Sequence, residues 1–243
     1  MSSGSLISAG KSSRYRVCAK ATKKREEKIH APNSELDTGI RQVKIVILGA
    51  SQVGKTSIIR QFVQNTFAEE YIPTRATEVY RPSCMINDHL YHVKMVDCPQ
   101  INSFPEDSIE EWSEFRPGKG VRNANAYIMV FDRSSEDSFN YLRTLREQML
   151  DCENDHDAPL WVVCNKCDKA EKDSNKNGGL SKREIANIVK KQWKSPYLEC
   201  SAKNNWHIVL LFKEVVRSID LIEYGHKATL MQNALRRKKC VIM

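Results

Sequence analysis

The chain has 243 residues, of which 41% are hydrophobic, so it can bury one sizeable core and we expect one domain with extensions. No apolar run approaches the roughly 20 residues that span a bilayer, and the N-terminus lacks the long apolar stretch of a secretion signal. The eight cysteines follow no regular spacing, which favours reduced thiols over a disulfide framework.

The net charge of +8 lies entirely in the two ends of the chain. Residues 1–40 carry 8 basic and 4 acidic side chains, residues 223–243 carry 5 and 1, and the centre has 25 of each sign. A nucleic-acid-binding domain more often has its basic stripe on the folded surface. We therefore expect no nucleic-acid partner, and basic ends of this kind suit an anionic membrane surface at least as well.

Three regions follow one another along the chain. Residues 1–40 are rich in Ser, Lys and Arg, and we interpret them as a basic, disordered extension. Their first acidic residue is Glu26, so a mitochondrial transit peptide is a less favoured alternative. Residues 41–224 alternate strand and helix patterns, and residues 225–243 lose the pattern and are expected to form a basic tail.

The alternating patterns predict six strands and five helices in the central domain. The predicted strands are 43–48, 77–86, 90–96, 126–132, 159–164 and 196–200. The predicted helices are 55–65, a segment within 106–116, 136–150, 181–193 and 205–224. Three polar residues between the second and third strands indicate a hairpin. The alternation implies an α/β fold, with a mainly parallel sheet covered by helices on both faces.

A phosphate-binding pattern, G-x-x-x-x-G-K-[ST], follows the first predicted strand and opens the first helix. Its small residues allow backbone N–H groups to surround phosphate oxygens, Lys55 adds a positive charge, and the Thr56 hydroxyl can ligate Mg²⁺. An ordinary glycine-containing turn is the weaker alternative. The residues of the pattern, with Ser57 after it, are Gly49, Ala50, Ser51, Gln52, Val53, Gly54, Lys55 and Thr56.

Two further segments select the base of the nucleotide. Asn165-Lys166-Cys167-Asp168 follows an apolar strand, and its final carboxylate can accept both the N1–H and the exocyclic amine of guanine. Adenine offers no such pair of donors, so a buried carboxylate would penalise it. Ser201-Ala202-Lys203 follows the next strand, where a backbone N–H can reach the guanine carbonyl. Together these segments predict GTP and GDP as ligands.

With these motifs the chain resembles the Ras-like small GTPases over residues 43–222. Within them it is most similar to the divergent subgroup called Ras-like family ten, on the segments Glu199-Cys200-Ser201-Ala202-Lys203-Asn204-Asn205-Trp206-His207 and Ala234-Leu235-Arg236-Arg237. The resemblance implies the three-layer fold of P-loop NTPases, a small G domain with a six-stranded, mainly parallel sheet. It also implies a monomeric GTP-binding switch in signal transduction.

The resemblance assigns roles at the phosphate end of the site. Lys55 would bridge the β- and γ-phosphates, and Thr56, Thr74 and Asp97 would hold Mg²⁺. The first switch, which also contacts effectors, would be Tyr71-Ile72-Pro73-Thr74.

At the base end, the resemblance implies that Asp168 reads guanine and that Ala202 supplies the backbone N–H. The pocket would be supported by Asn165, Lys166, Ser201 and Lys203. Phe67 stands where the family packs an aromatic ring against guanine, and a core residue at a helix end is an equally favoured alternative.

The second switch departs from the family pattern Asp-x-x-Gly-Gln. This chain has Asp97-Cys98-Pro99-Gln100-Ile101, and Ile101 cannot hydrogen-bond to the attacking water. Because phosphoryl transfer depends on positioning, we predict very slow hydrolysis and a mostly GTP-bound resting protein. A weaker alternative is that a local shift lets Gln100 act catalytically. The long segment 102–122 is interpreted as a helix covering the sheet, and less favourably as a partner-binding extension.

The last four residues, Cys240-Val241-Ile242-Met243, fit a prenylation box in which Met favours farnesyl. The resemblance implies removal of the final three residues and methylation. Because one lipid anchors only marginally, the basic run 236–239 would provide the second signal for the cytoplasmic face of the plasma membrane. Two hypotheses remain: a slow GTPase cycled by regulators, and a nearly constitutive GTP-bound scaffold.

Overall fold

The computed structural model describes residues 40–86, 89–105, 120–152, 158–169 and 181–239. The strands in these ranges are β1 (Ile40–Leu48), β2 (Glu78–Tyr80), β3 (Ser83–Ile86), β4 (His89–Asp97), β5 (Ala126–Asp132), β6 (Leu160–Asn165) and β7 (Tyr197–Glu199). The helices are α1 (Lys55–Gln64), α2 (Glu136–Cys152), α3 (Lys182–Asn187), which continues as a π-helical turn (Ile188–Gln192), and α4 (Ile208–Lys239). The predicted extension 1–40, apart from its last residue, and all of the predicted helix within 106–116 lie outside the described residues.

The strands form one sheet in the order β2-β4-β1-β5-β6-β7, and β3 also pairs with β4. The pairs β4–β1, β1–β5, β5–β6 and β6–β7 are parallel, whereas β2 and β3 run antiparallel to β4. The prediction of a mainly parallel α/β sheet is therefore confirmed. Parallel strands share a direction, so the ends of β1, β4, β5 and β6 lie along one edge, where open α/β sheets bind ligands.

The predicted single strand 77–86 is wrong, because the structure divides it into β2 and β3. Pro82 lies between them and has no N–H to donate to a ladder, which ends the first strand. Its carbonyl still accepts a hydrogen bond from Val93 N at 2.9 Å, so the segment stays beside β4. The predicted hairpin between this region and β4 is confirmed by the antiparallel pairing of Ile86 with His89.

Alternate residues of β1 face opposite sides of the sheet. Val43, Ile45 and Ile47 pack in a core with α1 and α4, whereas Val46 and Leu48 pack in a second core with α2 and α3. Burying each such side chain contributes about 1.5–3 kcal/mol. The two cores confirm the expected three layers, with helices on both faces.

The last two helices differ from their predicted bounds. The pattern over 181–193 predicted one helix, but α3 ends at Asn187 and widens into the π-helical turn. The helix predicted to end at 224 continues to Lys239, because residues 225–239 contain no proline and consist mostly of good helix formers. The loss of apolar periodicity therefore did not mark a helix end. Among the described residues, no helix has the length and apolar character needed to cross a membrane.

Candidate functional site

Two glycines allow the loop between β1 and α1 to lie against neighbouring strands. A Cβ at Gly49 would lie 2.3 Å from the carbonyl oxygen of Val130, and one at Gly54 would lie 2.4 Å from Asn165 Nδ2. Their φ angles, +150° and +93°, also lie where L side chains are rare. Only glycine fits these two positions of the phosphate loop.

Lys55 is folded into the loop that precedes it. Its ammonium donates to the carbonyl oxygens of Gly49 at 2.8 Å and Ala50 at 2.9 Å, and the residue is buried. Burial lowers the pKa of Lys55, and the charge of Asp97 opposes this only in part. The loop therefore holds a positive charge of reduced hydration, which favours interaction with an anion such as phosphate.

The motif after β6 supports the phosphate loop from outside. Asn165 Nδ2 donates to the carbonyl of Val53 at 2.9 Å, and Lys166 Nζ donates to the carbonyl of Gln52 at 2.6 Å. Gln52 has a φ of 63°, the left-handed region, which explains why this position favours glycine. The same lysine forms an ion pair with Asp132 at 2.7 Å.

Three oxygen-bearing side chains meet beside the loop. Thr56 Oγ1 donates to Asp97 Oδ2 at 2.5 Å and lies 2.8 Å from Thr74 Oγ1. Asp97 is fully buried, and within the described part of the chain no hydrogen-bond partner reaches its Oδ1. Burial raises the pKa of Asp97, and the bond from Thr56 and the charge of Lys55 oppose this only in part. An all-oxygen set with an unsatisfied carboxylate oxygen fits Mg²⁺.

At the other end, Ser201 Oγ donates to Asp168 Oδ1 at 2.5 Å and fixes the carboxylate predicted to read guanine. The Ala202 N–H, which is predicted to reach the guanine carbonyl, is already engaged within the protein. That N–H instead donates to Asn165 Oδ1 at 3.2 Å. Guanine recognition by Ala202 would therefore require this long hydrogen bond to be shared or exchanged.

One cavity of about 340 Å³ joins the phosphate and base ends. Phe67 lines it and is 37% exposed, so the alternative that it is a core residue is wrong. Most predicted site residues line the cavity: Ser51, Gln52, Gly54, Lys55, Thr56, Ser57, Tyr71, Ile72, Thr74, Asn165, Lys166, Asp168, Ala202 and Lys203. The nucleotide-site and switch residues that do not line it are Gly49, Ala50, Val53, Pro73, Asp97 and Ser201.

The second switch presents Gln100, and not Ile101, to the phosphate loop. Gln100 lines the cavity, and its Oε1 accepts a hydrogen bond from Ser51 N at 2.8 Å. Ile101 is only 6% exposed and packs in the core on the α2 side of the sheet. Its carbonyl accepts from the Tyr141 hydroxyl at 2.8 Å. Burial raises the pKa of Tyr141 to about 12, so this hydroxyl remains a donor at neutral pH.

Sequence reasoning missed two residues that shape the site. Asp132 ends the apolar strand β5 at the ligand edge, a position that could have identified it. Burial alone would raise its pKa, but hydrogen bonds from Lys166 and Ser134 outweigh burial and hold the pKa below its ordinary value. Glu69 lies 3.7 Å from Lys203 beside the base end, and no local pattern marks it.

The chain is similar to one known protein family and to several known proteins. The family model of the Ras family matches residues 44–221. The human Ras-like protein family member 10B is 37% identical over 204 residues, covering 82% of this chain and 98% of that protein. The mouse Ras-like protein family member 10A is 32% identical, covering 83% and 98%. The mouse GTP-binding protein Di-Ras1 is 28% identical, covering 82% and 96%.

The matched region includes both glycines of the phosphate loop, the paired threonines beside Asp97 and the motif that ends in Asp168. These are the parts that a guanine-nucleotide site needs, and here they line or support one cavity. On the strength of this geometry and these matches, the chain belongs to the Ras family of small GTPases, which bind GTP and GDP, generally with Mg²⁺.

Proposed function

We propose that this GTPase hydrolyses GTP very slowly, so that the triphosphate form is long-lived. The observation that carries the proposal is the orientation of the second switch. Ile101, at the position that orients the attacking water in the family, is buried away from the cavity. A hydrocarbon side chain there could not hold a water molecule even if it turned outward.

Gln100 does not readily replace the missing group. Its carbonyl oxygen is already bonded to the Ser51 N–H. A water-positioning glutamine uses that oxygen to accept a hydrogen bond from the nucleophile, so the loop N–H competes with the water. Because phosphoryl transfer relies on positioned groups, the loss of one should slow the reaction by orders of magnitude.

A second candidate function, a nearly constitutive GTP-bound scaffold, is favoured by how firmly the start of the second switch is held. Tyr141 binds the carbonyl of Ile101, and the Gln148 side chain accepts from Phe104 N at 3.0 Å. Phe104 is 1% exposed. A segment fixed to α2 at two points has little freedom to respond to loss of the γ-phosphate.

The first switch offers the surface for effectors in either case. Tyr71 is 52% exposed and Ile72 is 69% exposed, while Thr74, whose Oγ1 lies 2.8 Å from Thr56 Oγ1, connects them to the phosphate end. Exposed large apolar side chains beside a ligand site suit recruitment of a partner protein. Thr56, Thr74 and Asp97 would hold Mg²⁺, which supplies positive charge beside the phosphates when bound.

The nucleotide that co-purifies with the full chain distinguishes the two candidates. Denaturing the protein and separating the released nucleotides by ion-exchange chromatography gives the GTP:GDP ratio. An excess of GTP supports the scaffold, and an excess of GDP supports a slow enzyme that cycles. Release of neither would contradict a guanine-nucleotide site.

We also propose that the protein is farnesylated at Cys240 and held at the cytoplasmic face of the plasma membrane. Cys240 lies outside the described residues, so the proposal is supported by its motif and by the basic run 236–239. Each basic residue near an anionic leaflet contributes about 1 kcal/mol. Cys240→Ser should move the protein from the membrane to the soluble fraction of cells, and unchanged fractionation would contradict the anchor.

A further inference from the structure

The side chain of Gln100 crosses from the second switch to the phosphate loop. Its Oε1 accepts a hydrogen bond from Ser51 N at 2.8 Å, and both residues line the cavity. A backbone N–H can only donate, so the atom that faces it must be the amide oxygen. This contact therefore fixes which way the Gln100 amide points.

The amide nitrogen of Gln100 remains available to a ligand. Within the described part of the chain, Nε2 of Gln100 makes no hydrogen bond, and the residue is exposed. An amide nitrogen carries two N–H donors. Because the planar amide is held by its oxygen, these two donors stay beside the phosphate loop, at the wall of the cavity.

The order of the strands places Gln100 at the end of the cavity that lies farthest from the base. The strand β6, which leads into the base motif 165–168, and β4, which leads into the second switch, lie on opposite sides of β1. The phosphate loop follows β1, and the base motif contacts it at Gln52 and Val53. Gln100 contacts the same loop at Ser51, from the β4 side. A nucleotide with its base at this motif would therefore extend its last phosphate towards Gln100.

The other side chains at the start of the second switch offer no donor to the cavity. Asp97 and Cys98 are fully buried, and Ile101 is 6% exposed. Pro99 lines the cavity but has neither a polar side chain nor a backbone N–H. Over the described stretch 97–101, Gln100 is thus the residue whose side chain can donate a hydrogen bond to a ligand.

We propose that Gln100 binds the terminal phosphate of GTP through its Nε2 donors, while Ser51 N holds its oxygen. GDP has no phosphate at this position, so the contact favours GTP over GDP. The inference rests on the proposed function and deepens it, because it names a residue that selects the triphosphate. The same amide that is unable to position water would then help to retain GTP.

The contact with Ser51 prepares the Gln100 side chain for this role. A side chain that is already held by the loop loses little conformational freedom when a ligand binds. Its hydrogen bonds to phosphate would have a charged acceptor, and such bonds are roughly twice as strong as those between neutral groups. One contact of this kind is enough to change the preference between two nucleotides by about tenfold to a hundredfold.

Two substitutions separate the donor of this amide from its acceptor. Gln100→Glu keeps an oxygen that can accept from Ser51 N, but it replaces the NH₂ group with a carboxylate oxygen that repels phosphate. Gln100→Met has a similar length and removes both groups. Both variants keep the backbone N–H of residue 100, so a change in affinity is due to the side chain. Gln42→Glu adds the same charge at an exposed position of β1 and is the matched control.

The affinities of the full chain for GDP and for the non-hydrolysable β,γ-imido analogue of GTP measure the effect. Both are obtained with Mg²⁺ present, by displacement of a fluorescent GDP analogue. We expect Gln100→Met to bind the GTP analogue about tenfold more weakly and Gln100→Glu about a hundredfold more weakly, with GDP affinity changed by less than about threefold. Gln42→Glu should match the unsubstituted protein for both ligands. In ³¹P NMR spectra, the terminal phosphate resonance of the bound analogue should shift in Gln100→Met.

An unchanged preference for the GTP analogue over GDP in Gln100→Met would overturn the inference. A stronger preference would also overturn it, because the side chain would then obstruct the last phosphate. If the unsubstituted chain bound neither nucleotide, the guanine-nucleotide site would be refuted and this inference with it. Rapid hydrolysis of GTP by the unsubstituted chain would contradict only the slow turnover proposed above, since the affinities do not depend on hydrolysis.

Discussion

Replacing Ile101 with glutamine tests which residue of the second switch faces the nucleotide. The substitution restores the residue type that the family has at this position. If Ile101 faced the cavity, the new amide would be placed to orient water and hydrolysis should rise. Because the side chain is only 6% exposed and packs beside Phe104 in the core, we expect a loss of stability and no gain in rate.

The size of the loss follows from the burial. Removing the isoleucine from the core costs about 1.5–3 kcal/mol, and burying an amide without partners adds about 1–3 kcal/mol. A total of about 3–5 kcal/mol lowers the thermal midpoint of a domain this size by roughly 10 °C. The conservative Ile101→Val leaves a smaller gap and should cost about 0.5–1.5 kcal/mol.

Urea denaturation and single-turnover hydrolysis of GTP-loaded protein measure the two effects. We expect Ile101→Gln to be destabilised and to hydrolyse GTP within about threefold of the unsubstituted protein. Both values are compared with those of Ile101→Val, which changes packing without adding a polar group. An Ile101→Gln variant of ordinary stability with hydrolysis more than about tenfold faster would refute the buried orientation.

Two further substitutions test the charges of the site. The pKa of Asp97 is raised, so its ionised form destabilises the nucleotide-free fold above that pKa. Asp97→Asn removes this charge and should raise the thermal midpoint by about 2–4 °C for each kcal/mol of unfolding free energy gained. In the same variant, Mg²⁺ should no longer slow nucleotide release. If the nucleotide-free Asp97→Asn variant had an unchanged or lower thermal midpoint, burial of the Asp97 carboxylate would not be destabilising. The pKa of Asp132 is lowered, so its stabilising effect is present above the unfolded pKa of about 3.9 and is lost as pH falls through the folded value. Asp132→Asn should release labelled GDP about tenfold faster by weakening the hold on Lys166, and equal rates at neutral pH would show that the ion pair does not position this lysine.

The phosphate loop and the base motif could be predicted from sequence because their chemistry is local. Gly54 and Lys55 belong to a motif of only eight residues, and each motif follows an apolar strand that can itself be recognised in the sequence. The sheet edge then brings distant motifs together without further information, since parallel strands end on the same side. The same logic would have found Asp132 at the end of β5.

The remaining features depend on contacts that no local pattern encodes. Whether Gln100 or Ile101 faces the cavity depends on Tyr141, forty residues later in the chain, and on the core beneath. The engagement of the Ala202 N–H depends on which way the Asn165 amide points. Helix α4 continues past its apolar stripe to Lys239 because residues 225–239 consist mostly of good helix formers.

Single-turnover hydrolysis by the full chain tests slow turnover most directly. Protein loaded with GTP labelled in its γ-phosphate is given Mg²⁺, and phosphate release is followed without exchange or activating proteins. The buried Ile101 and the engaged Gln100 predict a rate well below the about 3–5 × 10⁻⁴ s⁻¹ of Ras. A rate equal to or above that of Ras would contradict the account.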